Sequence, residues 1–529
     1  MNPTGEPLHS FRKTTVAAAC AVAALSTCSC IGPGHGGAAP LPLDDRGYDR
    51  LRRLDAAGLI QSAVVATLPL SRKEAGRYVL EARERGVPER GSVRYDYDQL
   101  YAEHLPEILG AEIERGIVAE PFETRLDSTE HLLVSAQGPQ HSYNSFGIED
   151  FDGLSYRYRP RIISRVGQKW LVTFRPEISL VEAKGEDEQG GADIRFLEAN
   201  VRLFTGSFEF EVGADSLWWG PGRHGALLVS NNAAPFRHFW KFGTHEQILL
   251  PGWLSKLGPA SLVVFGARLD DDQEFRHGRR PWLGGMRLEF RPSPGFSFGM
   301  SRTAVTGGEA SGEVDADLVW RVFLAENENR PEGDLSDQKA GLDMRWRSAN
   351  RVLPFEVYAE VEGEDQAGVR PSRLAWLVGA EFPRLGPASC LDLLAEYATT
   401  VVDGHDDYWY NHGLFGPYTY QGTVMGHHAG SDADDLFVRL GFTPARGSRF
   451  EVAWDRERHG ISAPYVDVSG RNIEAVECKD EISVSFIQSW AERKRWSVTA
   501  RFQEWRNYEN ATGRSEHASS VGVEVWQTF

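Results

Sequence analysis

The chain has few cysteines, fewer bases than acids and no long apolar run beyond its first thirty residues, and each shortage removes a class of protein. Of five cysteines in 529 residues, only Cys390 and Cys478 lie beyond residue 30, too few for a disulfide scaffold. Sequence alone does not decide whether these two pair, because a bridge demands a particular Cβ geometry. Lys and Arg number 57 against 75 Asp and Glu, a net charge of −18; that balance repels the phosphates a nucleic-acid-binding protein must neutralise. No stretch after residue 30 approaches the roughly 18 consecutive apolar residues of a helical membrane span. Neither a nucleophile elbow, nor a His-Glu-x-x-His zinc motif, nor an acidic loop with EF-hand spacing is expected.

What is present must fold, since 41% of the residues are hydrophobic, with 27 Pro and 54 Gly among the whole. At about 150 residues per domain the length fits three or four domains, or one large β-architecture. Arg12 and Lys13 precede an apolar stretch from Val16 to Leu25 and then small residues, the order of a secretory signal over residues 1–30. Leu25-Ser26-Thr27-Cys28 loosely resembles a lipoprotein cleavage site, with ordinary cleavage nearby as the alternative. From 44 to about 118 the apolar spacing is helical. Ser71 and Glu74 form a capping box, and Ala75, Tyr78, Val79 and Ala82 then recur at three- and four-residue steps. Leu51, Leu54, Tyr97, Leu100, Tyr101 and Ile108 extend the pattern. Residues 31–120 therefore read as a small helical bundle, either a docking platform for a periplasmic partner or an accessory domain packed on something larger.

After residue 125 the period changes to two. Phe355, Val357, Ala359 and Val361 alternate with Glu356, Tyr358, Glu360 and Glu362; Leu342, Met344 and Trp346 alternate with Asp343, Arg345 and Arg347, because strand side chains point to opposite faces in turn. Phe450, Val452 and Trp454, and Phe208, Phe210 and Val212, repeat the arrangement against acids. The segments run about ten to thirteen residues, longer than the usual five or six of a soluble sandwich. Length, aromatic load and export signal together predict an outer-membrane barrel over 121–529, apolar face to lipid and polar face to the lumen. Strands are placed near 128, 154, 168, 193, 207, 244, 260, 283, 295, 337, 351, 372, 388, 434, 448, 480, 495 and 517, eighteen in all. Short links near 205, 293, 349, 446 and 493 alternate with long ones at 218–243, 305–336, 400–433 and 458–479. Bacterial barrels keep short turns on the periplasmic side, and an even count leaves both barrel ends there, so the helical bundle is expected in the periplasm. Val521, Val523, Val525 and Phe529 share one face of the last strand, the pattern of a barrel-assembly signal or of the edge strand of a soluble sheet.

Two loops carry a resemblance. Leu217-Trp218-Trp219-Gly220-Pro221-Gly222, Leu227-Leu228-Val229-Ser230-Asn231-Asn232 and Pro235-Phe236 are similar to the signature of the capsule assembly Wzi family. So are Tyr410-Asn411-His412, Tyr418-Thr419-Tyr420 and Gly426-His427, and, in the helical stretch, Leu54, Ala57-Gly58-Leu59 and Pro69-Leu70-Ser71. The resemblance covers nearly the whole mature chain. It implies an outer-membrane barrel with a periplasmic helical bundle, acting as a lectin that holds capsular polysaccharide or a related exopolysaccharide at the cell surface. It implies no enzyme and no cofactor.

A sugar polymer is held by hydrogen bonds to its hydroxyls and by aromatic faces under its C–H faces. The carbohydrate-binding candidates are therefore Trp218, Trp219, Arg223, Asn231, Asn232, Trp409, Tyr410, His412 and Tyr420, on outer loops expected at 218–240 and 403–428. The same residue types also brace long loops against one another, and Gly220-Pro221-Gly222 can set a turn. Outer acids, Glu186-Asp187-Glu188, Asp270-Asp271-Asp272, Asp406-Asp407, Asp432 and Asp434-Asp435, would repel an acidic polymer. A neutral polymer, lumen arginines such as Arg345, Arg347 and Arg439 interspersed with Glu356 and Glu360, or bridging divalent cations would answer that repulsion; the arginines are preferred. No metal site is expected, since adjacent His427 and His428 on a strand would point apart. Inward carboxylates are too numerous for a glycosidase pair to stand out. The rival functions are a polysaccharide export porin working with a periplasmic export protein, and a general small-solute porin, because an eighteen-strand lumen stays aqueous unless something fills it.

Overall fold

The computed structural model describes residues 39–528 apart from 114–121, 138–141, 149–152, 168, 184–190, 271–279, 309–335, 351, 368–369, 388, 413–414 and 492. The export signal with Cys28, the terminal Phe529, Glu186 to Glu188, and Asp271 and Asp272 lie outside the described residues.

Eighteen long strands close into one antiparallel barrel. They are β1 Phe122–Gln137, β2 Gly153–Val166, β3 Trp170–Ala183, β4 Gly191–Thr205, β5 Phe208–Asp215, β6 Phe236–Thr244, β7 Pro259–Arg268, β8 Trp282–Ser293 and β9 Phe296–Thr306, followed by β10 Ser336–Ser348, β11 Phe355–Ala367, β12 Arg370–Phe382, β13 Leu391–Thr399, β14 Ala433–Ala445, β15 Ser448–His459, β16 Glu477–Ala491, β17 Lys494–Arg506 and β18 Ser515–Thr528. Each pairs with its neighbour in sequence, and β1 closes on β18 with Thr129 opposite Trp526. The alternation sorts the side chains as the period predicts: on β11, Glu356, Glu360 and Glu362 are buried inside, and on β10, Leu342, Met344 and Trp346 are at least half exposed outside. Outward rings gather near the short-turn end, with Trp346 against Phe355 at 5.4 Å and Phe486 between Phe450 and Trp496 at 4.7 and 5.4 Å, as in the aromatic girdles of membrane barrels.

Strand β6 corrects the sequence reading, for it ends at Thr244 instead of beginning there. Its pairing with β5 shifts between Gly213 and Asp215, and this irregularity breaks the two-residue period from which the strand would have been read. Trp240 thus belongs to the barrel wall, facing outward, and not to an outer loop. Cys390 and Cys478 are both free thiols. The string Gly295-Phe296-Ser297-Phe298-Gly299 has the letters of a nucleophile elbow, but it runs into extended β9 with Ser297 buried, and a working elbow needs a strand-to-helix turn.

Three helices, α1 Gly47–Ala56, α2 Arg72–Arg85 and α3 Ser92–Ile113, form the bundle. The Ser71 hydroxyl accepts the Glu74 amide at 3.2 Å, and Gly86 ends α2 in the left-handed region, the start and stop that capping chemistry favours. Ala75, Tyr78, Val79 and Ala82 are fully buried, against Leu51, Leu54 and Leu100. The bundle enters the barrel at the short-turn end. Ser92 donates to the Pro383 carbonyl at 2.6 Å, Gln247 to the Ser62 carbonyl at 2.7 Å, and Lys73 pairs with Glu246 at 2.8 Å.

Charge carries the seat further in. Asp55, at the end of α1, receives Arg291 of β8 at 3.0 Å, Arg345 of β10 at 2.9 Å, and Arg347. Asp49 receives Arg439 of β14 at 2.8 Å, and Glu103 of α3 is shared by Arg50 at 2.5 Å and Arg495 of β17 at 2.8 Å. Buried charges persist only when paired, and apart from Arg50 with Glu103, which lies within the bundle, each of these pairs joins bundle to barrel.

Candidate functional site

From the long-loop end, three segments send buried residues into the lumen: 142–148, 216–235 and, among its described residues, 407–432. A buried carboxylate seats the second. Glu396 on β13 accepts the amides of Arg223, His224 and Gly225 at 2.7, 3.0 and 3.0 Å, and the Tyr358 hydroxyl at 2.5 Å. Glu360 on β11 accepts the Leu227 amide at 3.0 Å. Gly220 has φ +121, and a Cβ there would lie 2.4 Å from the Glu360 carboxylate, so only glycine suits the place. At its deepest point the loop meets the bundle: Trp218 and Trp219 pair in antiparallel register with Leu68 and Thr67, the Gly220 amide donates to the Ala66 carbonyl at 2.9 Å, and Arg52 donates to the Gly222 carbonyl at 3.1 Å. Plug and bundle therefore touch inside the barrel.

The sequence candidates lie mostly in this interior. Trp218 joins the apolar core of the bundle, while Trp219, Trp409, Tyr410 and Tyr420 lie in a second core within the lumen. Trp219 stands edge-on to Phe265 at 5.1 Å, and Tyr410 stacks on Tyr418 at 5.7 Å. Burying one such side chain contributes on the order of 2–3 kcal/mol. The Tyr410 hydroxyl donates to the Leu227 carbonyl at 2.5 Å and accepts the His427 amide at 2.8 Å, joining two loops. Asn231 donates to the Asn144 carbonyl at 3.0 Å and Asn232 to the Val424 carbonyl at 3.1 Å. The Arg223 side chain is buried on Glu356 at 2.6 Å and Glu381 at 3.2 Å, over the Tyr358 ring. His412 alone of the nine has a half-exposed side chain. Around it the rim presents His405, Tyr408, Tyr465 and Tyr508, exposed or half-exposed, with the Arg373 guanidinium 4.1 Å over the Tyr408 ring. The sequence reading passed over these four rim residues.

The lumen charges are matched within the molecule. Arg345 and Arg347 meet Asp55, Arg345 also meets Glu356 at 2.7 Å, Arg439 meets Asp49, and Glu356 and Glu360 hold the inner loop. The outer acids need revision too. Asp434 and Asp435 belong to β14 and are buried, Asp434 against Arg458, and Asp432 is buried beneath the Ser462 amide and hydroxyl at 2.9 and 2.8 Å; inward packing, invisible in a run of acids, removes them from the outer surface. His427 and His428 do not point apart, because they lie in a loop with rings stacked at 4.4 Å. Burial, aided by His224, lowers His427 to about 3, and burial beside His427 and His224 lowers His428 as well, so both rings are neutral at physiological pH.

A closed barrel with an apolar outer face, short turns at one end, long loops at the other and a lumen filled from both ends defines an outer-membrane β-barrel protein of the plugged kind. The profile of the family described as Capsule assembly protein Wzi matches residues 124–519, and the chain belongs to that family. It is 25% identical, over 165 residues, to an uncharacterised 55.8 kDa protein of the cps region of Klebsiella pneumoniae; the match covers 31% of this chain and 32% of that one. The chain thus spans about a third of that relative. The structure of Wzi from Escherichia coli, described as an outer-membrane protein involved in group 1 capsule assembly and a carbohydrate-binding β-barrel, superposes with a TM-score of 0.67 at 18% identity, covering 92% of this chain and 99% of that one.

Proposed function

We propose that the protein binds capsular polysaccharide or exopolysaccharide with the rim of its outer loops and holds or assembles it at the cell surface, without catalysis, the helical bundle facing the periplasm. The observation that carries this reading is the filled lumen. Asp55, Asp49 and Glu103 fix the bundle from one end, Glu396 and Glu360 fix the loop from the other, and the two bodies touch at Gly220 and Ala66. A polymer-conducting or solute-conducting pore needs a water path, and this arrangement favours surface retention over export and over a small-solute porin. Half-exposed rings at Tyr408, His412, Tyr465 and Tyr508 offer a sugar aromatic surface and hydrogen-bonding groups, with Arg373 over one side of Tyr408 and Arg514 over one side of Tyr508, and the buried candidates, Trp218 to Asn232 and Trp409 to Tyr420, set the shape of that rim from beneath.

Partnership with a periplasmic export protein is a second reading, favoured by the exposed charged stretch Arg83, Glu84, Arg85, Glu89 and Arg90 of the bundle. The test is a glycan-binding assay of the detergent-purified protein against the host's own surface polysaccharide, with Tyr408→Ala and His412→Ala. Weakened binding in these variants is expected. Unchanged affinity in both removes the rim from the site, and a large steady conductance of the wild type in planar bilayers replaces retention by export.

A further inference from the structure

Where the folded loops press on strands β14 and β15, four side chains from four segments converge: His224, His428, Asp435 and Asp455. One ligand atom of each lies within 4.8 Å of all the others. His224 Nε2 is 3.5 Å from Asp435 Oδ2 and 3.5 Å from Asp455 Oδ1, and His428 Nε2 is 3.2 Å from Asp435 Oδ2. A tetrahedral ion with bonds of about 2.0–2.1 Å holds its ligands roughly 3.3–3.4 Å apart, and these three edges straddle that value while the rest stay within 4.8 Å.

Most of the polar atoms gathered here, Asp435 Oδ2 apart, have no hydrogen-bond partners among the described residues. His224 Nε2, both ring nitrogens of His428, Asp435 Oδ1 and both oxygens of Asp455 are buried and unsatisfied, on side chains 2–4% exposed. Leaving buried polar atoms unmatched is unfavourable, and so many in one spot calls for something between them. The local charge has the right sign. Lys479 is divided among Glu457 at 2.7 Å, Asp455 at 3.7 Å and Glu481 at 3.9 Å, leaving acids in excess around the two imidazoles. The rings are also held in place: Phe437 stacks on His224 at 3.9 Å, and Tyr143 stacks on His428 at 4.7 Å while meeting His224 edge-on at 4.5 Å.

From this geometry we propose that the cluster is a structural site for one divalent transition-metal cation of the zinc class, ligated by His224, His428, Asp435 and Asp455. Two imidazoles with two carboxylates suit zinc or cobalt, whereas calcium and magnesium prefer all-oxygen shells of six or more ligands. Four protein ligands close the shell, the mark of a structural site and not a catalytic one. Because His224 and His428 ride on the two long loops and Asp435 and Asp455 on the wall, the ion would staple both loops inside the barrel.

The test uses the full chain in detergent, stripped with chelator and then dialysed against zinc chloride or cobalt chloride. The expected result is one zinc per chain by elemental analysis, a rise of the thermal midpoint on adding zinc to stripped protein, and the intense visible absorption of tetrahedral cobalt. His428→Gln and Asp455→Asn should each weaken zinc retention by roughly tenfold or more. Substoichiometric zinc with an unmoved midpoint in the reloaded wild type overturns the proposal, whatever the variants do. Full zinc stoichiometry in a folded His428→Gln protein overturns the ligand assignment.

Discussion

Replacing Asp55 with Asn removes the bundle's negative charge from among three arginines of the barrel wall, Arg291, Arg345 and Arg347. Breaking a buried ion pair from one side costs about 3–5 kcal/mol. The lower end applies, because Arg345 keeps Glu356 at 2.7 Å, and Arg291 keeps the carbonyls of Ala63, Ile60 and Pro294 at 2.5, 2.9 and 3.0 Å. About 3 kcal/mol is roughly a hundredfold in the ratio of seated to unseated bundle. Amide exchange in α1 to α3 reads that ratio directly when opening is rare. Exchange of these helices in Asp55→Asn should therefore speed up by about a hundredfold, with the barrel strands unaffected. Changing Arg347 to Met in that background should recover part of the loss, since it removes a buried charge left only with the more distant Glu356 at 3.8 Å. Wild-type exchange in α1 to α3 of Asp55→Asn would refute the idea that charge seats the bundle, and would assign the seat to the apolar contacts alone.

Acid should unseat the bundle only late. Burial raises the Asp55 carboxyl, but Arg291, Arg347 and Arg345 outweigh it and leave it below its ordinary value; Arg439 does the same for Asp49, Arg50 and Arg495 for Glu103, and Arg175 with Arg159 brings Asp44 down to about 2. Because each pKa is depressed when seated, the stability these groups give is complete above their ordinary values of 3.8 and 4.5 and is lost as pH falls below them; helix exchange protection should match at pH 7 and about 5.5 and decline only under about pH 4. Glu396→Gln weakens charge-assisted bonds to three amides and a phenol, so a stability loss of about 2–3 kcal/mol is expected, seen as a lower thermal midpoint together with intermittent conductance; a silent, fully stable variant would free the loop from this anchor. Leu342→Arg, on a residue 60% exposed on the outer face, should lose about 2–4 kcal/mol in lipid bilayers, measured by denaturant unfolding, and no loss would mean that this face does not meet hydrocarbon.

The barrel was legible in the sequence because its wall obeys one rule. Leu342, Met344 and Trp346 face out and Asp343, Arg345 and Arg347 face in, so a period of two marks strands and faces together, and strands 336 to 348 and 448 to 459 begin within a residue of where that period starts. The rule failed at β6, where a register shift opposite Gly213 and Asp215 disturbs the alternation. The bundle was legible through its caps and its three- and four-residue spacing at Ser71, Ala75, Tyr78 and Val79. What no periodicity carries is where a loop goes after it leaves the wall. Trp218, Tyr410 and Asn232 have both apolar surface and hydrogen-bonding groups, and a sugar and a polar protein interior ask for the same combination. Residue type therefore singled out two loops without saying which way their side chains turn.

The charges show why the interior is the harder half to read. An inward face written as Asp343, Arg345, Arg347, Glu356 and Glu360 states only that a wide lumen holds ions, and such a lumen is stable either filled with water or filled with protein of matching sign. The matching partners lie far away along the chain: Arg345 and Asp55 are 290 residues apart, Arg291 and Asp55 are 236, and the Glu396 contact to His224 spans 172. A single sequence offers no rule that joins such positions. The aspartates of α1 and the arginines of β8, β10 and β14 are nevertheless two halves of one device, and neither half has a physical reason to be where it is without the other. A water-filled lumen would leave those arginines to solvent; here a helix end is set among them.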